Sequence, residues 1–304
     1  MAKRFLRFGA ACLLALLACS ASVAMAAEVT PRMLVPVGHT VGIKLFSKGV
    51  VVVKLSDGGT PAKACGLRTG DVIVQCGGSA VTSSEQFQSL LQTCGGAAEL
   101  EVRRNGDSMA GIGTMTYYDP ATSTFGALGH GITDVDTAQL MPFSNGSILP
   151  STVKAVKKGE AGSAGELRGD FDLTGDLGGL YANTSSGVFG TLEAAYAPAQ
   201  AQAVPTGQPA AGPAVIRSNV QGDEVREYDI EILKTVPGSN DGRDMVISVT
   251  DPALVETTGG IVQGMSGSPI IQDGKLVGAV THVLVNSPDT GYGIYIQNML
   301  EAAA

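Results

Sequence analysis

Tryptophan is absent from this 304-residue chain, aromatic residues make up only 5%, and histidine occurs three times. With few large aromatic anchors and 41 glycines, the composition speaks against long helical bundles and for short strands joined by many turns. Basic residues are in deficit as well. With a formal charge of −8, nothing in the composition suggests the electropositive face of a nucleic-acid partner. Beyond the N-terminal segment no stretch approaches the roughly 20 unbroken apolar residues of a membrane-spanning helix. Cysteine is sparse and oddly placed: Cys12 and Cys19 lie near the N-terminus, leaving Cys65, Cys76 and Cys94. Their spacing fits no metal site and there is no CxxC, so two readings stay open, a single disulfide among the three or small buried thiols. With the histidines scattered, neither a metal nor a cofactor is expected.

What is present is enough hydrophobic sequence, 44%, for about two packed domains. Residues 1–26 read as an export segment: Lys3, Arg4 and Arg7 form a basic start, Ala10 to Ala18 is apolar, and Ala24 and Ala26 offer a cleavage site. Left uncleaved, the same segment would stay as a membrane anchor, and Leu16-Leu17-Ala18-Cys19 resembles a lipoprotein processing box. All three fates carry the rest of the chain across the cytoplasmic membrane.

Residues 34–106 pattern as a first module. Thr60-Pro61 opens a helix of one to two turns that Gly66 ends, and Gly70-Asp71 turns into the apolar strand Val72 to Cys76. After the Gly77-Gly78 turn a second helix opens near Ser83 with Gln86 in capping-box position, and Phe87, Leu90 and Leu91 share one face. Leu100 and Val102 alternate with charged residues in a half-buried strand that ends at Asn105-Gly106. This order resembles a bacterial PDZ domain, an α+β fold. The resemblance implies that Val41, Gly42 and Ile43 receive a peptide C-terminus, with the peptide added as a strand between Ile43 to Phe46 and the Ser84 to Gln92 helix. A ligand-free spacer is the other reading, and His39 is expected to be an ordinary surface residue.

Residues 111–304 form a second module with two glycine-framed segments, Phe125-Gly126-Ala127-Leu128-Gly129-His130-Gly131 and Gly259 to Pro269 around Ser266. Glycines beside a serine let substrate approach both Oγ and nearby amides, which makes the N–H groups of Gly264 and Ser266 the natural oxyanion donors. Ser-Gly-Ser-Pro also makes an ordinary turn. His130, set among small residues, supplies the base that a serine needs at neutral pH. The order is not that of an α/β-hydrolase, because Ser268 stands where its motif requires glycine and the histidine precedes the serine, as in trypsin-like enzymes. Lys275 to Val283 reads as a strand after the Asp273-Gly274 turn, with His282 either facing substrate or hydrogen-bonded within the fold; Ala197 to Pro213 reads as a surface loop.

Gly111-Ile112-Gly113-Thr114, Tyr118-Asp119-Pro120, FGALGHGI, Lys158-Gly159, Asn183-Thr184, Val249-Thr250-Asp251-Pro252 and TGGIVQGMSGSPI together resemble the SpoIVB peptidase family. The resemblance implies a trypsin-like double β-barrel behind the PDZ domain, in a mainly β chain. It also implies a sporulation signalling peptidase in the space between the forespore and mother cell membranes. Such enzymes cut themselves and a membrane-bound regulatory partner of an intramembrane protease that processes a pro-sigma factor. Carried onto this sequence, it makes His130 the base, Ser266 the nucleophile and Asp251 the third catalytic residue. Read from the residues alone, Asp134, Asp136, Asp170 and Asp172 compete with Asp251 for His130. A catalytically silent PDZ-containing adaptor that holds a membrane partner is the competing function.

Overall fold

In the computed structural model the stretch Glu224–Thr235 buries Tyr228, Ile230 and Ile232 while Asp229, Glu231 and Leu233 face solvent, the period-two burial of a strand with one wet face. Such strands dominate the molecule. The structure describes residues 31–304 apart from 47, 48, 53, 54, 57–59, 69, 70, 83, 104–107, 134–139, 142–144, 173, 174, 199–201, 237 and 240. The expected export segment, residues 1–26, lies outside the described residues. Among the described residues no helix is long and apolar enough to cross a membrane.

The chain opens with β1 (Met33–Pro36) and β2 (Thr40–Phe46), then passes through β3 (Val50–Val51), α1 (Pro61–Ala64), β4 (Val72–Cys76), β5 (Ser79–Ala80), α2 (Ser84–Thr93) and β6 (Leu100–Arg103). It continues with β7 (Ser108–Asp119), β8 (Thr124–Ala127), β9 (Asn145–Lys157), β10 (Glu166–Phe171), β11 (Gly178–Thr184) and β12 (Gly187–Leu192). The last third holds β13 (Val204–Pro205), β14 (Gly212–Gln221), β15 (Glu224–Thr235), β16 (Met245–Val249), α3 (Pro252–Thr258), β17 (Pro269–Gln272), β18 (Lys275–Leu284), β19 (Ser287–Tyr295) and α4 (Ile296–Ala302).

Pairing returns on itself twice. The antiparallel pairs run β9 to β2 to β7 to β8 to β12 to β11 and back to β9, a first barrel that β10, β1 and β13 flank. The second barrel is closed in the order β14, β15, β16, β19, β18, β17. Closure leaves the strand edges paired, the usual answer of an all-β chain to its edge problem. Ile43, Leu45, Phe125 and Ile148 fill the first barrel, and Ile216, Ile230, Ile247 and Ile270 the second. Leu34, Tyr117 and Phe189 of the first meet Leu276, Ile294 and Met299 of the second in a third buried cluster, which fixes the barrels side by side.

The first module does not precede the barrels; it interrupts one of them. Phe46 at the end of β2 pairs with Ser108 at the start of β7, and between them in the chain lies a separate small sheet of β3 to β6 with its own core around Ile73, Cys76 and Val81. The expected module boundary of 34–106 is therefore corrected: residues 34–46 are barrel strands. Val41, Gly42 and Ile43 are likewise not a carboxylate-binding loop. Val41 and Ile43 are buried in the first barrel's core, and a Cβ on Gly42 would sit 3.0 Å from Phe171, so this glycine serves packing. His39, half-buried, holds the Thr40 carbonyl at 2.8 Å. Inside the module the sequence expectations hold better. Gly66 follows α1, and Gln86 reaches back to the N–H and hydroxyl of Thr82 at the start of α2. Ala197 to Pro213 is less loose than its composition implied, because β13 pairs with β1 and Gly207 bonds to the Leu276 carbonyl.

Candidate active site

His130 stands where β8 leaves the first barrel. Leu128 and Gly129 follow each other with φ of 68° and 70°, a reversal that points the next side chain away from the barrel wall. Asn183, on β11, holds the chain just beyond: its side chain accepts from the Ile132 N–H and donates to the Ile132 and Met141 carbonyls. The His130 ring lies with Nδ1 2.9 Å from the Gly131 carbonyl. A carbonyl only accepts, so Nδ1 carries the proton and Nε2 keeps its lone pair. Burial pushes this imidazole below its ordinary pKa of 6.5, against the opposing pull of the Gly131 carbonyl, and keeps the ring neutral at pH 7.

Ser266 comes from the second barrel, in the turn between α3 and β17. Gly267 makes that turn possible: its φ is 96°, and a Cβ would lie 2.0 Å from the Thr114 carbonyl and 2.6 Å from the Leu128 nitrogen. The nucleophile turn thus lies backbone to backbone against β7 and the histidine turn. Thr114, fully buried on β7, grips it from the other barrel. Its N–H donates to the Ser266 carbonyl at 2.9 Å and its hydroxyl to the Gly264 carbonyl at 2.8 Å. The N–H groups of Gly264 and Ser266 donate to no protein acceptor among the described residues, while their neighbours Met265, Gly267 and Ser268 do.

His130, Gly264 and Ser266 line one cavity of about 770 Å³. Ile43, Ile112, Leu128, Ile132, Ile261 and Val262 give it aliphatic walls. Ser266 Oγ donates to the Thr281 carbonyl at 2.7 Å and makes no hydrogen bond to His130 among the described residues. That carbonyl is exposed to it because β18 bulges at Thr281, pairing Val280 with Gly293 and then His282 with Tyr292. The bulge also turns His282 into the cavity. Its ring centroid lies 5.2 Å from that of His130, its Nδ1 is buried without a partner, and its pKa falls to about 4 through burial, the His130 charge and Arg243, with Asp241 acting in the opposite sense. The expectation of a hydrogen-bonded structural histidine is therefore not met at Nδ1.

Asp251 is placed differently from the role that resemblance implied. It is the N-cap of α3: Oδ1 accepts from the N–H groups of Ala253 at 2.9 Å and Leu254 at 3.0 Å, and Oδ2 from Asp229 at 3.4 Å. It does not line the cavity, and no hydrogen bond joins it to His130 among the described residues. The Asp-Pro pair at a helix start explains the position. Asp170 and Asp172 are exposed and also lie off the cavity, and Asp134 and Asp136 lie outside the described residues. The acceptor for the His130 ring N–H is a backbone carbonyl. Thr114 is given no role from the sequence, although it ends the glycine-framed run Gly111-Ile112-Gly113-Thr114.

The SpoIVB peptidase S55 family model matches residues 103–300, and a PDZ domain model matches residues 52–104. The chain belongs to the SpoIVB peptidase S55 family. The S55 match begins just before β7, so β1 and β2 enter the peptidase fold only through their pairing in space. The inserted sheet is the PDZ domain, and it starts well after Val41, Gly42 and Ile43. No curated protein matches the chain. Among solved structures it is similar to the active form of the Rv3671c protease from M. tuberculosis, at 12% identity and a TM-score of 0.35, over 88% of this chain and 81% of that one.

Proposed function

We propose that this S55 peptidase is an exported serine endopeptidase of sporulation signalling. In this reading it cuts itself and a membrane-bound regulatory partner of an intramembrane protease, in the space between forespore and mother cell membranes. The observation that carries the serine mechanism is the convergence on one cavity of Ser266, a neutral His130 with its Nε2 lone pair free, and two undonated amides. Ser266 Oγ turns from the Thr281 carbonyl, attacks the scissile carbonyl and passes its proton to His130 Nε2, while the Gly264 and Ser266 N–H groups take the oxyanion. His130 then protonates the leaving amine, and water resolves the acyl-enzyme by the same steps. The Gly131 carbonyl holds the ring tautomer, a role that a carboxylate fills in the familiar triad. A peptide C-terminus docks on the PDZ domain along β3, which pairs with β4 on one side and, among the described residues, with no strand on the other.

The Ser266 bond to Thr281 favours one rival reading, a catalytically silent adaptor. A fluorophosphonate probe separates the two: labelling of Ser266 in the folded protein, lost in His130→Ala, is expected of the enzyme, and no labelling is expected of the adaptor. Ser266→Ala should lower the rate by about 10⁴ to 10⁶, and the double variant Ser266→Ala/His130→Ala little further, because the pair acts as one device. Undiminished cleavage by purified Ser266→Ala protein would remove the nucleophile assignment.

A further inference from the structure

The PDZ domain brings two of its three cysteines together. Cys76 closes β4 and is buried in the module core, and Cys94 lies one residue beyond α2, half-buried. They are 18 residues apart in sequence, and their sulfurs stand 3.9 Å apart. Cys65 is exposed at the end of α1 and bonded to the Ala62 carbonyl. Leu90 and Phe87 of α2 pack around the same cluster as Val50 of β3 and Val52 just after it, so the helix and this strand share one small core.

We propose that Cys76 and Cys94 are a redox site that closes to a disulfide and clamps α2 to the end of β4, leaving Cys65 as the unpaired thiol. The sulfurs have to close from 3.9 Å to the roughly 2.05 Å of a covalent bond, and the Cys94 sulfur already lies against the turn that follows Cys76, 3.5 Å from where a Cβ on Gly77 would stand. The oxidant is a disulfide donor. The Cys94 thiolate, the more exposed, attacks one donor sulfur and releases the other as a thiolate. The Cys76 thiolate then attacks Cys94 of the mixed disulfide and releases the second donor thiolate. Two cysteine thiols lose two electrons and two protons, and one donor disulfide becomes two thiols. Burial raises the Cys76 pKa, which makes this second displacement the slower one.

A loop of this length, once closed, narrows the unfolded ensemble enough to favour the folded helix by about a hundredfold. Incubating the reduced full chain with oxidised glutathione should yield a peptide pair linking Cys76 to Cys94 by non-reducing mass spectrometry. Amide exchange over Ser84–Thr93 should then slow, and dithiothreitol should reverse both. Cys65→Ser should behave as the parent, and Cys94→Ser should keep the fast exchange of the reduced protein under either condition. Glutathione retained on Cys94 without the link, a link that involves Cys65, or a link that leaves helix exchange unchanged would each overturn the proposal.

Discussion

Thr114 joins the two barrels at the point where chemistry is expected, and it does so with a single side chain and its own N–H. Removing the hydroxyl in Thr114→Val leaves the Gly264 carbonyl without a donor, a loss of about 1–3 kcal/mol, and frees the turn that aims both oxyanion amides. The expected outcome is a fall in kcat of roughly tenfold or more with KM little changed, and Thr114→Ser should restore most of it. A larger loss in Thr114→Ser than in Thr114→Val would mean that packing around the threonine methyl, not the bond, matters. The two cavity histidines set a pH signature. His130 sits below 6.5, so the acid limb of kcat/KM should lie below that value rather than at it. For His282 the folded pKa of about 4 lies below the ordinary 6.5, so between these values the unfolded chain binds more protons. Its contribution to stability is whole above pH 6.5 and is lost as pH falls toward 4. Urea midpoints at pH 7 and pH 5 should therefore differ less in His282→Gln than in the parent.

Among the elements, α3 decides what Asp251 does. Asparagine caps a helix about as well as aspartate, whereas alanine does not, at about 1 kcal/mol. Asp251→Asn should then keep activity within about tenfold, and Asp251→Ala should lose stability first. A loss near 10⁴ in Asp251→Asn would instead return this carboxylate to His130. The same element marks the limit of the sequence. The strand Val72 to Cys76, the helix from Pro61 and the framing of His130 and Ser266 by glycine are local signals, and the structure keeps them. Asp251 before a proline carries a local signal too, that of a helix cap, while its assignment to His130 comes from the resemblance. The assignment of Val41, Gly42 and Ile43 failed for a different reason. Alternating apolar residues mark a strand equally well in a PDZ sheet or a barrel, and only partners more than 60 residues away, such as Gly111 to Gly113, distinguish the two.

For the whole molecule, the insertion predicts two different deletions. Removing the N-terminal residues through Arg103 takes β1 and β2 with the PDZ domain and opens the first barrel between β7 and β9, so that product should not fold. Excising the PDZ domain alone and joining Phe46 to Ser108 through a two-residue turn should leave both barrels intact and turnover of a short peptide nearly unchanged, because these two residues already face each other. Cleavage of a protein substrate that docks on the module should fall. Circular dichroism and a peptide assay on both deletions test this. Folding of the short variant with loss of all peptidase activity would mean that the module shapes the cavity through Ile43 and Ile112, which line it.

The position of the PDZ domain also orders events in time. As the chain emerges during synthesis, β2 is complete long before β7, and the barrel cannot close until the two meet. An unstructured segment between them must pay a closure entropy that grows with its length, but a folded domain holds its two ends close and shortens the effective loop. The inserted module should therefore fold first and act as the nucleus that brings Phe46 to Ser108. A destabilising change in its core, such as Val81→Ala, should slow refolding of the barrels while leaving their unfolding rate nearly unchanged. Stopped-flow refolding and unfolding of the parent and this variant measure both rates, and equal refolding rates would show that the barrel closes without help from the domain it encloses.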